Sequence, residues 1–420
     1  MSVDKIRAKR WIYFVAALIA TFCAGLGYSW SVIQSAIIAV HPDWSVSAVV
    51  ITYTLQVSLS CLTPSIFGAI IKRLNTKQNV MVGGILYGIG LILASFASNL
   101  IMLYICFGCI AGIGIGFIYP IMMSYALRVL PDKGSIASGL MAAAYGSGAV
   151  VWAPVANMLI NAMGLGNALR GLGIVFLIVI VAASFILTDI PEEYVLKYSI
   201  AKGSDDGAPK KIVKNKTRGQ MAQTATFYIM VICFSLALTS GMLVISQSKS
   251  IVTYTGGNLA AIAALCVSIV SIFNTVGRIV WGTVANKITT YNTCIILFVI
   301  AAVSMAALAV IPAGTGVAIV LFMALTASCY GGFATMITPM TADMFGTKFL
   351  TENFGLMYIV YAFSSLIGPQ LAARLCTTDA SGTITGYSMA YVVGAILSVI
   401  GIFFAFLVKA QLKKVEYEEL

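Results

Sequence analysis

Residues 189–222 read DIPEEYVLKYSIAKGSDDGAPKKIVKNKTRGQMA. Charged and turn-forming residues run together here longer than anywhere else in the chain. Such a stretch has no apolar face to bury, so it reads as a polar linker. The sequence changes character at once on both sides of it. Six apolar runs precede the linker, at 11–38, 46–71, 79–97, 101–126, 135–161 and 167–188. Six follow it, at 223–247, 258–285, 291–311, 316–341, 350–376 and 385–408. Each is about as long as the ~20 residues a helix needs to cross the hydrocarbon core of a bilayer. Short polar breaks separate most of them, such as HPDW at 41–44, KRLNTK at 72–77 and PDK at 131–133.

Composition agrees with lipid as the main solvent. The 420 residues are 60% hydrophobic and 9% charged, against about 25% charged in soluble domains. The basic opening MSVDKIRAKR leads into an apolar run too long for a signal-peptide core and without a small-residue cleavage pattern. That run is expected to stay as the first span. Most Lys and Arg fall on the side of the termini and the linker, from Lys5 to Arg10, at Lys72, Arg73, Lys77, Arg128, Lys133 and Lys287, and at Lys348 and Lys409 to Lys414. The opposite side holds Arg170, Lys249 and Arg374. This bias predicts cytoplasmic termini and linker. It also accounts for the net charge of +11 without nucleic-acid binding.

The two sets of spans repeat. Gly25 and Gly241, Gly116-Phe117 and Gly332-Phe333, Gly139-Leu140-Met141 and Gly355-Leu356-Met357, and Tyr145 and Tyr361 all stand 216 residues apart. The matches keep their order and lay spans 1, 4 and 5 on spans 7, 10 and 11. A parallel repeat of six helices on six is a transporter architecture, with the substrate held between the halves near the membrane midplane. The predicted units are an N-terminal six-helix bundle (1–188), a cytoplasmic linker (189–222) and a C-terminal six-helix bundle (223–420).

Arg278 is the principal candidate for chemistry. It lies in LCVSIVSIFNTVGRIVWGTVANK (265–287), nine residues before Lys287, or about 13 Å of helix rise. A charge at that depth costs roughly 2.5 kcal/mol or more and is expected to face a cavity or a partner, although a long side chain also reaches toward an interface. A guanidinium is always charged and grips a carboxylate with two parallel donors. No span core contains Asp or Glu; Asp43, Asp343 and Glu352 lie in or beside loops. The charge that Arg278 lacks would then come from an anionic substrate. Asn274 and Ser271 precede it on the same helical face, either completing a polar stripe or bonding their own backbone.

Six tyrosines occupy polar-leaning span positions: Tyr28, Tyr119, Tyr145, Tyr330, Tyr358 and Tyr361. Interfacial belts are the ordinary place for such residues. Mid-span placement argues instead for a cavity wall with a hydrogen-bonding tip at Tyr28, Tyr119, Tyr145 and Tyr361. Gln247 and Trp30 are weaker candidates. The glycine string AGIGIGF (111–117) sits inside a span, where it serves helix packing and not phosphate binding. The nine cysteines lie in or beside apolar runs, and the one histidine, His41, is remote from the CxxC at Cys106 and Cys109. No metal site, disulfide or cofactor is expected. A nucleophile–histidine pair and a phosphate-binding lysine loop are both missing, so the chain does not read as an enzyme.

The chain resembles the major facilitator superfamily and, within it, the oxalate/formate antiporter family. The resemblance is carried by GLGYSWSV, GIGIGFIYP, PDKGSIASGLMAAAYGSG, FNTVGRIVWGTVANKI, YGGF, DMFGT and ENFGLMY. In dicarboxylate carriers of that family, a span 8 arginine and a span 11 lysine clamp the substrate inside an aromatic cage. The resemblance places Arg278 at the arginine and Tyr28, Tyr119 and Tyr145 at cage tyrosines. It places Tyr330 and Tyr358 at tryptophans and Tyr361 at the lysine. Gly27 and Ala334 stand where the cage has larger residues. Lys72 and Asn286 replace the acids of the superfamily's loop signature.

One cation instead of two implies one negative charge on the substrate. The expectation is an all-α membrane protein of twelve transmembrane helices in two pseudo-symmetric six-helix bundles, the major facilitator fold. It would move a small carboxylate, a monocarboxylate, across the inner (cytoplasmic) membrane by alternating access, as an exchanger or facilitated carrier and as a monomer in the lipid bilayer. An exporter of larger lipophilic acids or drugs is the alternative, and a non-transporting anion sensor a further one.

Overall fold

The computed structural model describes residues 3–191, 193–195, 212–346, 349–378, 384–415 and 417–418. Among these described residues, eleven stretches are long and apolar enough to cross a membrane. They are Asp4–Val40 (α1), Val46–Ile66 (α2), Thr76–Ala94 (α3), Leu100–Val129 (α4), one long stretch after α4, then Ala225–Thr255 (α7), Gly257–Ala285 (α8), Thr290–Val310 (α9), Gly316–Phe345 (α10), Glu352–Arg374 (α11) and Ser388–Gln411 (α12). The long stretch, Gly134–Ile186, is 53 residues of helix interrupted by non-helical backbone at Gly164 (φ 79°, ψ 162°). As one straight rod it would extend about 80 Å, more than twice the ~30 Å hydrocarbon core. Gly164 supplies the left-handed φ that an ordinary side chain resists, and it divides the stretch into α5 (134–163) and α6 (165–186). The described residues thus make the twelve crossings expected from the sequence.

Local signals explain several helix ends. Asn75 and Gln78 form a capping box that starts α3, and Thr217 with Gln220 caps the short helix Arg218–Ala222 before α7. Each box satisfies amide protons that have no partner inside the helix. Within α1, Gly25–Ser29 tightens into a 3-10 turn, which turns Tyr28 and Trp30 inward. Both are buried.

The molecule is apolar outside and polar at its centre. Val310, Val317 and Ile101 are among the most exposed side chains, whereas Gln34, Gln56, Asn274 and Arg278 are buried. That inversion is what a lipid solvent imposes. Glycine permits the closest helix crossings. A Cβ on Gly25 of α1 would lie 2.5 Å from the Tyr145 carbonyl and 2.9 Å from Gly148 Cα of α5. A Cβ on Gly241, at the equivalent position of α7, would collide with Tyr330 of α10. Both repeated glycines therefore let a helix approach one that carries a central tyrosine.

The first six helices meet the last six along a central seam. At its middle, Ser271 Oγ donates to the Gly146 carbonyl at 2.8 Å and Ser268 Oγ to the Val150 carbonyl at 3.0 Å, tying α8 to α5. Thr54 Oγ1 donates to the Ser365 carbonyl at 3.0 Å, tying α2 to α11. At the end away from the termini, Gln34 and Gln247 exchange two amide hydrogen bonds of 2.8 and 3.1 Å. Nearby, Lys249 Nζ donates to Asn157 Oδ1 at 2.9 Å, and Gln370 Nε2 to the Ser47 carbonyl at 3.2 Å. At the termini-bearing end, the seam bond among the described residues is longer, 3.4 Å from Arg218 of the linker to Ser65. That end also gathers the linker and the C-terminus, where Ile212–Val213 pairs antiparallel with Tyr417–Glu418. Residues 196–211 of the linker, with the basic residues read there, lie outside the described residues, as do Lys348 and the side chains of Lys133 and Asn286.

Candidate functional site

A cavity lies on the seam, lined by α1, α2, α4, α5, α7, α8, α10 and α11. Arg278 projects into it from α8 and is 6% exposed. Its Nη2 donates to Tyr28 Oη at 3.3 Å, and its Nε has no hydrogen-bond partner. The guanidinium crosses to the other set of helices: a Cβ on Gly146 of α5 would lie 3.5 Å from Arg278 Nε. Glycine at 146 gives the group room beside the α5 backbone.

All six sequence-predicted tyrosines line this cavity. Tyr28 Oη and Tyr330 Oη lie 3.4 Å apart. Ring contacts run from Tyr28 to Tyr145 (5.3 Å, edge to face) and from Tyr145 to Tyr119 (4.3 Å, stacked). They continue from Tyr119 to Tyr358 (6.4 Å) and from Tyr358 to Tyr361 (4.6 Å). Aromatic rings at such separations attract one another beyond their area burial. The chain of rings makes a wall that presents hydroxyl groups beside the guanidinium. No Asp, Glu, Lys or His is among the lining residues, so Arg278 provides the one formal charge among the described residues of the cavity. A cation in a low-dielectric space without a counter-ion is costly, and an entering anion offsets that cost. The centre of a water molecule has about 30 Å³ to move in, against the ~10–15 Å³ that one water needs.

Asn274 does not join this group. It faces a separate cavity of about 10 Å³ with Tyr28, Ser248 and Ser271, on the scale of a single water. Its backbone and amide oxygens pack against Gly331 of α10, and neither end of its amide has a partner. Asn274 stands one helical turn before Arg278 on the same face of α8, at the level where that helix crosses Gly331 of α10 most closely. The weaker candidates have structural roles. Gln247 pairs with Gln34, Trp30 Nε1 donates to Gln34 Oε1 at 2.7 Å, and Trp30 stacks on Tyr53 at 5.7 Å. Asp343, read as loop-side, lies inside the last turn of α10.

The sequence reading missed Tyr53, Gln56, Ser60 and Cys61 of α2 and Met242 of α7, which also line the cavity. Gln56 carries a signal that was available. It is a carboxamide within the apolar run ITYTLQVSL, where a polar group needs a reason.

The family model described as Major Facilitator Superfamily matches residues 17–369. The oxalate:formate antiporter of Oxalobacter formigenes is 28% identical over 397 residues, covering 93% of this chain and 89% of that protein. Monocarboxylate transporter 12-B of Danio rerio is 23% identical over 333 residues, covering 75% of this chain and 69% of that one. Among solved structures, a mutant of the nucleoside transporter NupG superposes with a TM-score of 0.69 at 14% identity, covering 94% of this chain and 99% of that one. A bacterial homologue of the human lysosomal transporter Spinster, in an inward-facing, unoccupied conformation, gives 0.69 at 15% identity, covering 96% and 98%.

Proposed function

The chain belongs to the Major Facilitator Superfamily of transporters, and from that premise we propose that it carries a small organic monocarboxylate by alternating access. The observation that carries this reading is Arg278, a buried cation reaching across the seam into a cavity with no carboxylate among its described lining residues. One guanidinium balances one negative charge. Tyr28 and Tyr330 supply hydroxyl groups beside it, and Tyr119, Tyr145, Tyr358 and Tyr361 enclose the carbon skeleton. The oxalate:formate antiporter and the monocarboxylate transporter among its relatives support a carboxylate as cargo.

In this reading residues 1–188 and 223–420 rock as two bodies about the cavity, joined by the linker at 189–222. The bonds at the end away from the termini close that side. Basic residues around the termini favour a cytoplasmic location for that end, in the inner membrane. The carrier works as a monomer, by exchange or facilitated diffusion. Cargo of larger, lipophilic acids would need a wider chamber. Gly27 lines the cavity and leaves room there, since a Cβ on it would meet only Gln56 Oε1, at 3.6 Å, whereas Ala334 is not among the lining residues.

The test is uptake of labelled formate, acetate, lactate and pyruvate into proteoliposomes, with and without the same anion inside. Saturable uptake accelerated by internal anion is expected for at least one of them. Arg278→Gln, folded by circular dichroism and size-exclusion profile, should fall to the level of protein-free liposomes. Unchanged uptake in that variant would overturn the reading.

A further inference from the structure

Gln56 is buried to 1% exposure in α2, and both Nε2 and Oε1 lack a hydrogen-bond partner. Its backbone is pinned from behind, since a Cβ on Gly112 of α4 would lie 2.9 Å from Gln56 Cα and 2.7 Å from its carbonyl oxygen. With α4 against that side of the helix, the side chain faces the cavity and Oε1 lies over Gly27. Two other buried glutamines show what this fold does with an amide of structural purpose. Gln34 and Gln247 pair reciprocally, and Trp30 completes the acceptor of Gln34. An amide left with both ends unpaired beside a cavity is a different case. Burial without partners is unfavourable, and in native structures such a group calls for a ligand or water.

Resting on the monocarboxylate reading above, we propose that Gln56 contacts the substrate and selects a hydroxy acid. The carboxylate of that substrate engages Arg278 on one side of the seam, and its hydroxyl engages Gln56 on the other. A carboxamide offers one acceptor and two donors, and a hydroxyl is both donor and acceptor. The alcohol O–H donates to Gln56 Oε1, and the alcohol oxygen accepts from Nε2. A plain alkyl acid leaves both ends of the amide unpaired. A second carboxylate has acceptors only, so it engages Nε2 and leaves Oε1 without a donor. A site built to bond a hydroxyl discriminates against an analogue lacking it, because its own polar groups are then stranded.

The experiment measures binding by thermal shift and exchange in proteoliposomes. The probes are lactate, 3-hydroxypropanoate, propanoate and malonate, on the wild-type protein, Gln56→Leu and Arg278→Gln. In the wild type, at least one hydroxy acid should bind about tenfold or more tightly than propanoate. In Gln56→Leu that ratio should collapse to within about twofold, while the ligand-free protein unfolds at the same or a higher temperature because an unpaired amide has gone. A wild type that binds all three monocarboxylates equally overturns the role of Gln56 and leaves Arg278 as the anion site. Retention of the preference in Gln56→Leu, or a marked fall in that variant's ligand-free stability, does the same. Binding of none of the probes, or monocarboxylate binding that survives Arg278→Gln, overturns the monocarboxylate reading itself and the proposal with it.

Discussion

Two buried polar clusters lie on the same seam and are built in opposite ways. At the far end, Gln34 and Gln247 meet with both amides engaged and Trp30 donating to the shared oxygen. At the centre, Arg278 keeps an unpaired Nε and Gln56 two unpaired amide groups. Each cluster joins the first six helices to the last six. In a low-dielectric interior, a satisfied polar network holds surfaces together and an unsatisfied one is strained until something fills it. On the proposed function, the far end is the closure and the centre the receptor. The same distinction explains why Gln247, a candidate by residue type, is absent from the cavity, while Gln56 lines it.

The largest expected effect comes from removing the charge of the central cluster. Arg278→Gln should abolish anion uptake. Arg278→Lys should restore only a small part of it, because the ammonium keeps the charge but not the paired donors. Equal uptake by the Lys variant and the wild type would mean that charge alone suffices.

Breaking the far-end cluster should cost stability in an asymmetric way. Gln34→Leu strands Gln247 and the Trp30 indole together, whereas Gln247→Leu leaves Gln34 Oε1 bonded to Trp30. The first should lower stability by about 1–3 kcal/mol and the second by less. The double Leu variant should lose less than the sum of the two. Thermal unfolding of the purified protein reads all three, and additive losses would deny the reciprocal pair.

A cation added to the centre should alter the charge class that it takes. Tyr361 lines the cavity and its ring lies 4.6 Å from that of Tyr358. Tyr361→Lys should shift preference toward dicarboxylates such as malonate by about tenfold, less if desolvation and the nearby guanidinium discharge the new amine. Competition of malonate against propanoate for the variant measures it, and an unchanged ratio would show that the position does not meet the ligand.

The smallest effect should come from an imposed pH gradient. Among the described residues the cavity has no lining carboxylate or histidine, so a gradient alone should drive little accumulation of a strong acid that stays ionised, whereas preloaded anion should accelerate its entry. Strong accumulation in empty vesicles under the gradient would point to a proton site elsewhere, with Asp343 in α10 and Glu352 in α11 the first to neutralise.

Much of the plan was legible in the chain. The polar stretch 189–222 divides two sets of six apolar runs, and each run needs lipid because no soluble core absorbs that much apolar side chain. The 216-residue spacing matched Gly25 to Gly241, and the structure puts both at close crossings that seat a central tyrosine. Arg278 stood out because a charge deep in a span is expensive, and the six tyrosines because phenols are poorly placed at mid-span without a cavity. These inferences rest on the local cost of a side chain in hydrocarbon, which depends on residue type and depth alone.

Which polar groups share a cavity depends on something else. Asn274 and Arg278 share a face of α8 but stand one turn, about 6 Å, apart along its axis, and at the level of Asn274 the close crossing with Gly331 of α10 leaves only a separate small void. In a lipid-solvated helix the outward face is apolar too, so the sequence pattern marks the inward face only weakly. Residue type and depth thus pointed to the span count, the buried cation and the tyrosines, and the 216-residue spacing to the repeat. Helix packing and the close glycine crossings decided the rest: that Gln247 would pair with Gln34, that Asn274 would meet a separate void, and that Gln56 would face the guanidinium's cavity with its amide unspent. Those outcomes are set by distances between helices far apart in the chain, which only the packed structure contains.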